Sequence, residues 1–157
     1  MSSIVDKCMS LPKQSFAEEE TVIVQGESVG KFFILLDGEV EILKDEFQID
    51  TVDSVGSVFG EISVLLNLPH MATVKAIKSS TFLVADNPKD FLIENPEVHF
   101  HISQLLAKRL NSVTSYLVDL KSQYEDRKDH LGMVDEVLEG LLHQQKTAQP
   151  NSKASGA

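Results

Sequence analysis

The sequence predicts a mainly β fold with α: a jelly-roll or β-roll barrel flanked by a short N-terminal helix and a long C-terminal helix. Three observations predict it. Between residues 16 and 84, short alternating or apolar runs rich in Val, Ile and Phe recur at strand length. Gly26, Gly30, Gly38, Gly56 and Gly60 fall in the breaks between those runs, where the chain must turn tightly. From Asn87 onward the apolar spacing changes to that of a helix. Regularly spaced short strands suggest a β-sandwich or barrel.

The elements follow in order. Ile4, Val5, Cys8 and Leu11 are spaced to share one face of a short helix, which Pro12 ends. Strands are expected at Thr21–Gln25, Lys31–Leu36, Glu39–Leu43, Phe47–Val52, Ala72–Ile77 and Ser80–Ala85. Asp86 or Asn87 caps a short helix with Pro88 near its first position, and Asn95-Pro96 interrupts it. A long or once-broken helix then runs to about residue 142, with a break expected near Asp129–Gly132. The polar residues 144–157 are expected to form a disordered tail. The domain reading is 1–125 for the barrel and the first part of the long helix, then 126–143 for its continuation or a short docking helix.

Composition narrows the function classes. At 157 residues, with 42% hydrophobic and 24% charged, one globular domain with an appendage is expected. The single cysteine, Cys8, excludes an internal disulfide framework and a Cys-based zinc site, and suits a cytoplasmic protein. No apolar run reaches membrane-spanning length, and the first residues lack the pattern of a signal peptide. A net charge of −10 repels phosphate backbones. The cluster Lys121, Arg127 and Lys128 is interleaved with Glu125, Asp126 and Asp129, as on a solvated helix face. His99 and His101 lie two apart on a helix and do not share a face, so no metal site is expected there. No nucleophile-elbow spacing appears, and an enzyme is not expected.

The informative window is Phe59-Gly60-Glu61-Ile62-Ser63-Val64-Leu65-Leu66-Asn67-Leu68-Pro69-His70-Met71-Ala72-Thr73-Val74. A Gly-Glu pair opens a helical turn, Pro69 closes it, and Ala72-Thr73 runs into a strand. Upstream stand Gly26-Glu27, then Phe33-Ile34-Leu35 with Gly38 and Val40, then Gly56-Ser57-Val58-Phe59-Gly60-Glu61. This ordered set resembles the cyclic-nucleotide-binding domain over residues 12–125, and the window resembles its phosphate-binding cassette.

The resemblance implies a ligand, cAMP or cGMP, no further cofactor, and a set of contacts. Gly60 would let the backbone approach the cyclic phosphate. The N–H groups of Ile62 and Ser63 would face its oxygens. Glu61 would accept the ribose 2′-hydroxyl, and Thr73 would add a hydroxyl contact. Ala72 completes the cassette, and Asn111 and Thr114 lie where relatives contact the base. The sequence departs from the pattern at His70, where the family has an Arg that forms a charge-assisted bond to the phosphate. Losing such a bond costs roughly 1.5–3 kcal/mol, about 10- to 150-fold in affinity. Protonation of His70 would recover part of it, so affinity is expected to rise below about pH 6.5. Met71 is larger than the Ala or Ser usual there and is expected to crowd the pocket. Glu19 replaces a turn Gly.

The long helix carries a second signal. Leu106, Val113, Leu120, Val134 and Leu141 alternate at heptad spacing with Leu110, Leu117, Tyr124, Leu131 and Leu138, with Arg127 the charged intruder. Homodimerisation through Leu106, Leu110, Val113, Leu117, Leu120 and Tyr124 is expected. The fifteen residues after Leu142 are too few for the DNA-binding domain of catabolite-activator relatives, so no direct DNA binding is expected. Two functions follow: a stand-alone ligand sensor that reports to a protein partner through its C-terminal helix, or a dimeric interaction scaffold with a vestigial pocket.

Overall fold

The computed structural model describes residues 3–123 and 128–143. The chain forms two compact units, Met1–Gln104 and Leu105–Ala157. Among the described residues the order is α1 (Ile4–Lys7), β1 (Lys13–Phe16), β2 (Thr21–Ile23), β3 (Phe32–Asp37), β4 (Val40–Lys44), β5 (Phe47–Val52), β6 (Val58–Phe59), α2 (Glu61–Leu66), β7 (Thr73–Ala76), β8 (Ser80–Ala85), α3 (Pro88–Glu94), α4 (Pro96–Gln123) and α5 (Lys128–His143).

In the first unit the strands make two antiparallel four-stranded sheets, ordered β1-β8-β3-β6 and β2-β7-β4-β5. Alternating side chains from both sheets meet in one core. Phe16, Phe33, Leu35, Phe59, Phe82 and Val84 come from the first sheet, and Ile23, Val40, Val74 and Ala76 from the second. Phe82 is the hub: Phe16, Phe33 and Phe59 set their rings edge-on to it, with centroids 5.7–6.1 Å away. That geometry suits the ring quadrupoles.

The first sheet is also buried on its outer face. Phe32, Ile34, Leu83 and Ala85 point away from the core, yet are fully buried. Phe91 of α3 lies 6.1 Å from Phe32, and Ile4, Cys8, Leu92, Val98 and Ile102 bury their side chains from the flanking helices. Ile4 and Cys8 turn inward as expected, but α1 ends at Lys7 rather than at Pro12, leaving Leu11 outside the helix; Ser3 and Asp6 close a capping box at its start. Asn87 stands at the N-cap position of α3 without a side-chain capping bond, Pro88 takes the first helical position, and α3 ends before Pro96 as the residue preferences require.

Two strands escape the sequence reading. β1 carries one buried residue in four, and β6 has two residues, so neither shows a period. Gly38 makes the β3–β4 turn at φ +110, and a side-chain carbon there would fall 2.2 Å from the Ser80 hydroxyl. Ser80 uses that contact: its hydroxyl meets the Glu39 N–H at 3.2 Å and donates to the Lys78 carbonyl at 2.8 Å.

In the second unit α5 runs unbroken through Asp129–Gly132, so the break expected there does not occur. Residues 124–127, with Tyr124 and Arg127 of the heptad, lie outside the described residues, as does the 144–157 tail. Lys121 of α4 donates to Asp135 of α5. Fourteen residues of straight helix span about 21 Å. The contact therefore requires α5 to double back on α4, and the heptad seam does not run as one rod. Leu117, Leu120, Val134 and Leu138 are half-buried in this unit, while Leu110 and Val113 stay half-exposed.

Candidate functional site

The cassette is built by two left-handed residues around one turn and a half of helix. Gly60 precedes α2 at φ +86, where an added side-chain carbon would lie 2.8 Å from the Lys31 carbonyl and 3.1 Å from the His70 ring. Only a residue without Cβ fits that approach. Asn67 closes α2 at φ +55, its N–H returning to the Ser63 carbonyl. The Ser63 hydroxyl donates to the Leu68 carbonyl, and the Leu68 N–H bonds back to Ser63 at 3.1 Å. These bonds tie off the helix before Pro69.

His70 is then fastened by its backbone. Its N–H donates to the Glu27 carbonyl at 2.9 Å, and its carbonyl accepts from the Gly26 N–H at 2.8 Å. The side chain is thereby driven inward beside Gly60. His70 is 4% exposed, and its Nε2 is buried without a hydrogen-bond partner. Glu61 is 5% exposed in the same cassette. Burial pushes the His70 pKa below the ordinary imidazole value, and the carboxylates of Glu27 and Glu61 oppose that shift. The ring is therefore neutral at physiological pH, and the charges acting on it are negative.

The expected ligand residues fall into two groups. Gly60, Glu61, Ile62, Ser63, His70, Met71, Ala72 and Thr73 come together in the first unit. Asn111 and Thr114 belong to the second, where Asn111 is exposed and the Thr114 hydroxyl donates to the Leu110 carbonyl at 2.9 Å. The Thr73 oxygen already accepts the Gln25 N–H at 3.0 Å, leaving its own proton for one further acceptor. Met71 is 53% exposed, whereas the neighbouring His70 is buried.

Sequence reasoning missed Glu27 and Gln25 as anchors. Gly26-Glu27 marked the turn, but nothing local showed that its carbonyl would hold His70. A surface cleft of about 440 Å³ lies on the outer flank of α2, between Ser63, Asn67 and Leu68 and the Asp86–Asp90 segment. Of the expected ligand residues it shares Ser63, so it is a neighbour of the cassette rather than its interior.

Comparisons with known proteins place the fold. A family model for the cyclic nucleotide-binding domain matches residues 13–92. The cAMP-dependent protein kinase regulatory subunit of Mycosarcoma maydis is 39% identical over 70 residues, 43% of this chain and 13% of that protein. The chain thus spans a small part of that relative. The structure of PKAR CBD2 with Sp-2Cl-cAMPS bound is 30% identical, covering 74% of each chain, with a TM-score of 0.56. The catabolite activator protein of Thermus thermophilus shares the fold at a TM-score of 0.65 and 20% identity, over 76% of this chain and 59% of that one.

Proposed function

We propose a function from one premise: this chain belongs to the cyclic nucleotide-binding domain family. It is a regulatory ligand-sensing module. It takes a cyclic nucleotide, cAMP or cGMP, or a related anionic ligand, into the cassette and signals to a protein partner through its C-terminal helix. The observation that carries this reading is the buried, unpartnered Nε2 of His70 beside Glu61 and Gly60. An unmet polar atom in a folded interior costs about 1–3 kcal/mol. A barrel that needed only a filled position would be served better by an apolar side chain. A ligand oxygen at that nitrogen removes the penalty.

The roles are those the resemblance implies, and the local geometry supports them. Gly60 admits the ligand's phosphate to the start of α2, where the N–H groups of Ile62 and Ser63 belong to the unsatisfied first turn. Glu61 takes the ribose 2′-hydroxyl, His70 the phosphate, and Thr73 spends its remaining proton on the ligand. Occupancy matters to a partner because the ligand binds one arrangement of the C-terminal helix better than another. In this reading the protein works in the cytoplasm as a homodimer.

Calorimetric titration of cAMP and cGMP into wild type and His70→Arg tests this reading. A permanent cation at this position is expected to tighten binding about 10- to 150-fold at pH 8. Failure of both proteins to bind either ligand would overturn it. The half-exposed Leu110 and Val113 on α4 would then favour the second reading, a dimeric scaffold with a vestigial pocket.

A further inference from the structure

We propose that His70 makes this site a proton-coupled receptor: the anionic ligand enters together with one proton, which settles on the His70 imidazole between Glu27, Glu61 and the ligand. The proposal rests on the reading that the cassette binds a cyclic nucleotide, and it names how that binding is controlled.

The geometry carries it. His70 is 4% exposed and its ring lies against Gly60, whose other close neighbours are the Lys31 carbonyl and Ile23, while the Gly26–Glu27 turn holds its backbone. The charges facing it are the Glu27 carboxylate from the β2–β3 loop and the Glu61 carboxylate from α2. The Lys31 ammonium is paired with Asp86 at 3.1 Å. With the site empty, a neutral ring inside this enclosure is favoured, because a cation there would be desolvated while still lacking a partner at Nε2. With a cyclic phosphate at Nε2, the ring faces three anions. A neutral imidazole cannot offset them, whereas an imidazolium offers each nitrogen as a donor. Binding therefore draws a proton from solvent onto the ring.

Linkage then fixes the pH response. Where the complex is protonated and the empty site is not, affinity rises by about tenfold for each unit the pH falls. The rise continues below the ordinary imidazole pKa, because burial holds the empty site's ring neutral to lower pH. An Arg at the same position carries its charge permanently and gives a flat profile. The device turns a ligand sensor into one that reads ligand and acidity together.

The experiment is calorimetry of the full chain with cAMP at pH 6, 6.5 and 7.5, in two buffers of widely different ionisation enthalpy. Wild type, His70→Gln and His70→Arg are compared. Expected is net proton uptake by wild type approaching one, and an affinity gain of up to about tenfold per pH unit. His70→Arg should bind with no uptake and no such gain, and His70→Gln should bind weakly with the same flat profile. Wild-type binding without uptake, or uptake that persists in His70→Gln, overturns the proposal and leaves the ligand reading standing. Binding by His70→Arg with none by wild type at pH 6 does the same. No binding by any of the three overturns both.

Discussion

At the scale of single residues, burial of His70 couples the fold to pH. Its pKa is lowered by burial, so the unfolded chain, with an ordinary imidazole near 6.5, holds more protons than the folded chain in the interval below that value. The stability it contributes is full above about pH 6.5 and is lost as pH falls through the folded value. The slope for one such group is at most about 1.4 kcal/mol per pH unit. Carboxylates also titrate on the acid side, so the comparison that isolates His70 is with His70→Gln. Urea midpoints of the ligand-free proteins at pH 7.5, 6.5 and 5.5 should fall more steeply for wild type than for the variant. Parallel curves would show that the ring is not buried neutral. Added cAMP should offset part of the wild-type fall, since ligand and proton favour the same bound state.

At the scale of elements, α2 depends on the residue before it. An L-residue at Gly60 must adopt φ +86, which costs about 1–2 kcal/mol, and its Cβ must also push back the Lys31 backbone from 2.8 Å. Gly60→Ala should therefore lose about 2–3 kcal/mol, a fall of roughly 10 °C or more in Tm for a unit of this size, together with ligand affinity. Glu19→Gly makes the contrast. Glu19 already sits at φ +72 and pairs with Lys75 at 2.7 Å, so Gly relieves strain while removing a surface ion pair. Its net effect should stay within about 1 kcal/mol, and thermal melts of the two variants side by side check both. The same contrast explains what the sequence made legible. β5 and β8 were read to the residue, and α3 was bracketed by Asn87 and Asn95-Pro96, because period and breakers are local. β1 offers only Phe16 as an apolar anchor, and its pairing with β8 is a long-range fact no window displays. The cassette was legible for the same reason as the turns: Gly60 and Pro69 mark it. The inward turn of His70 and the outward turn of Met71 were not, because the Gly26–Glu27 backbone decides them from forty residues away.

At the scale of the whole molecule, apolar surface and net charge act against each other in assembly. With Lys121 bonded to Asp135 of α5 and Leu117 and Leu120 half-buried, the part of the seam that α4 leaves open to a second copy is Leu110 and Val113, 52% and 51% exposed. Two chains that join there each bring a net charge of −10. Coulomb repulsion between them is weakened by salt, whose screening length shrinks from about 10 Å at 0.1 M to about 3 Å at 1 M, whereas apolar burial is not. A dimer held by the α4 seam must therefore tighten as salt rises. Sedimentation velocity at 50 mM and 500 mM NaCl should show a larger dimer fraction at the higher salt, and the double variant Leu110→Asp/Val113→Asp should remain monomeric at both. A dimer that dissociates as salt rises would instead be held by ion pairs, and a wild-type monomer at both concentrations would remove the second copy from the mechanism. In that case the half-exposed stripe on α4 is the surface the proposed sensor would offer a protein partner, and the same two substitutions would be the ones to break that contact.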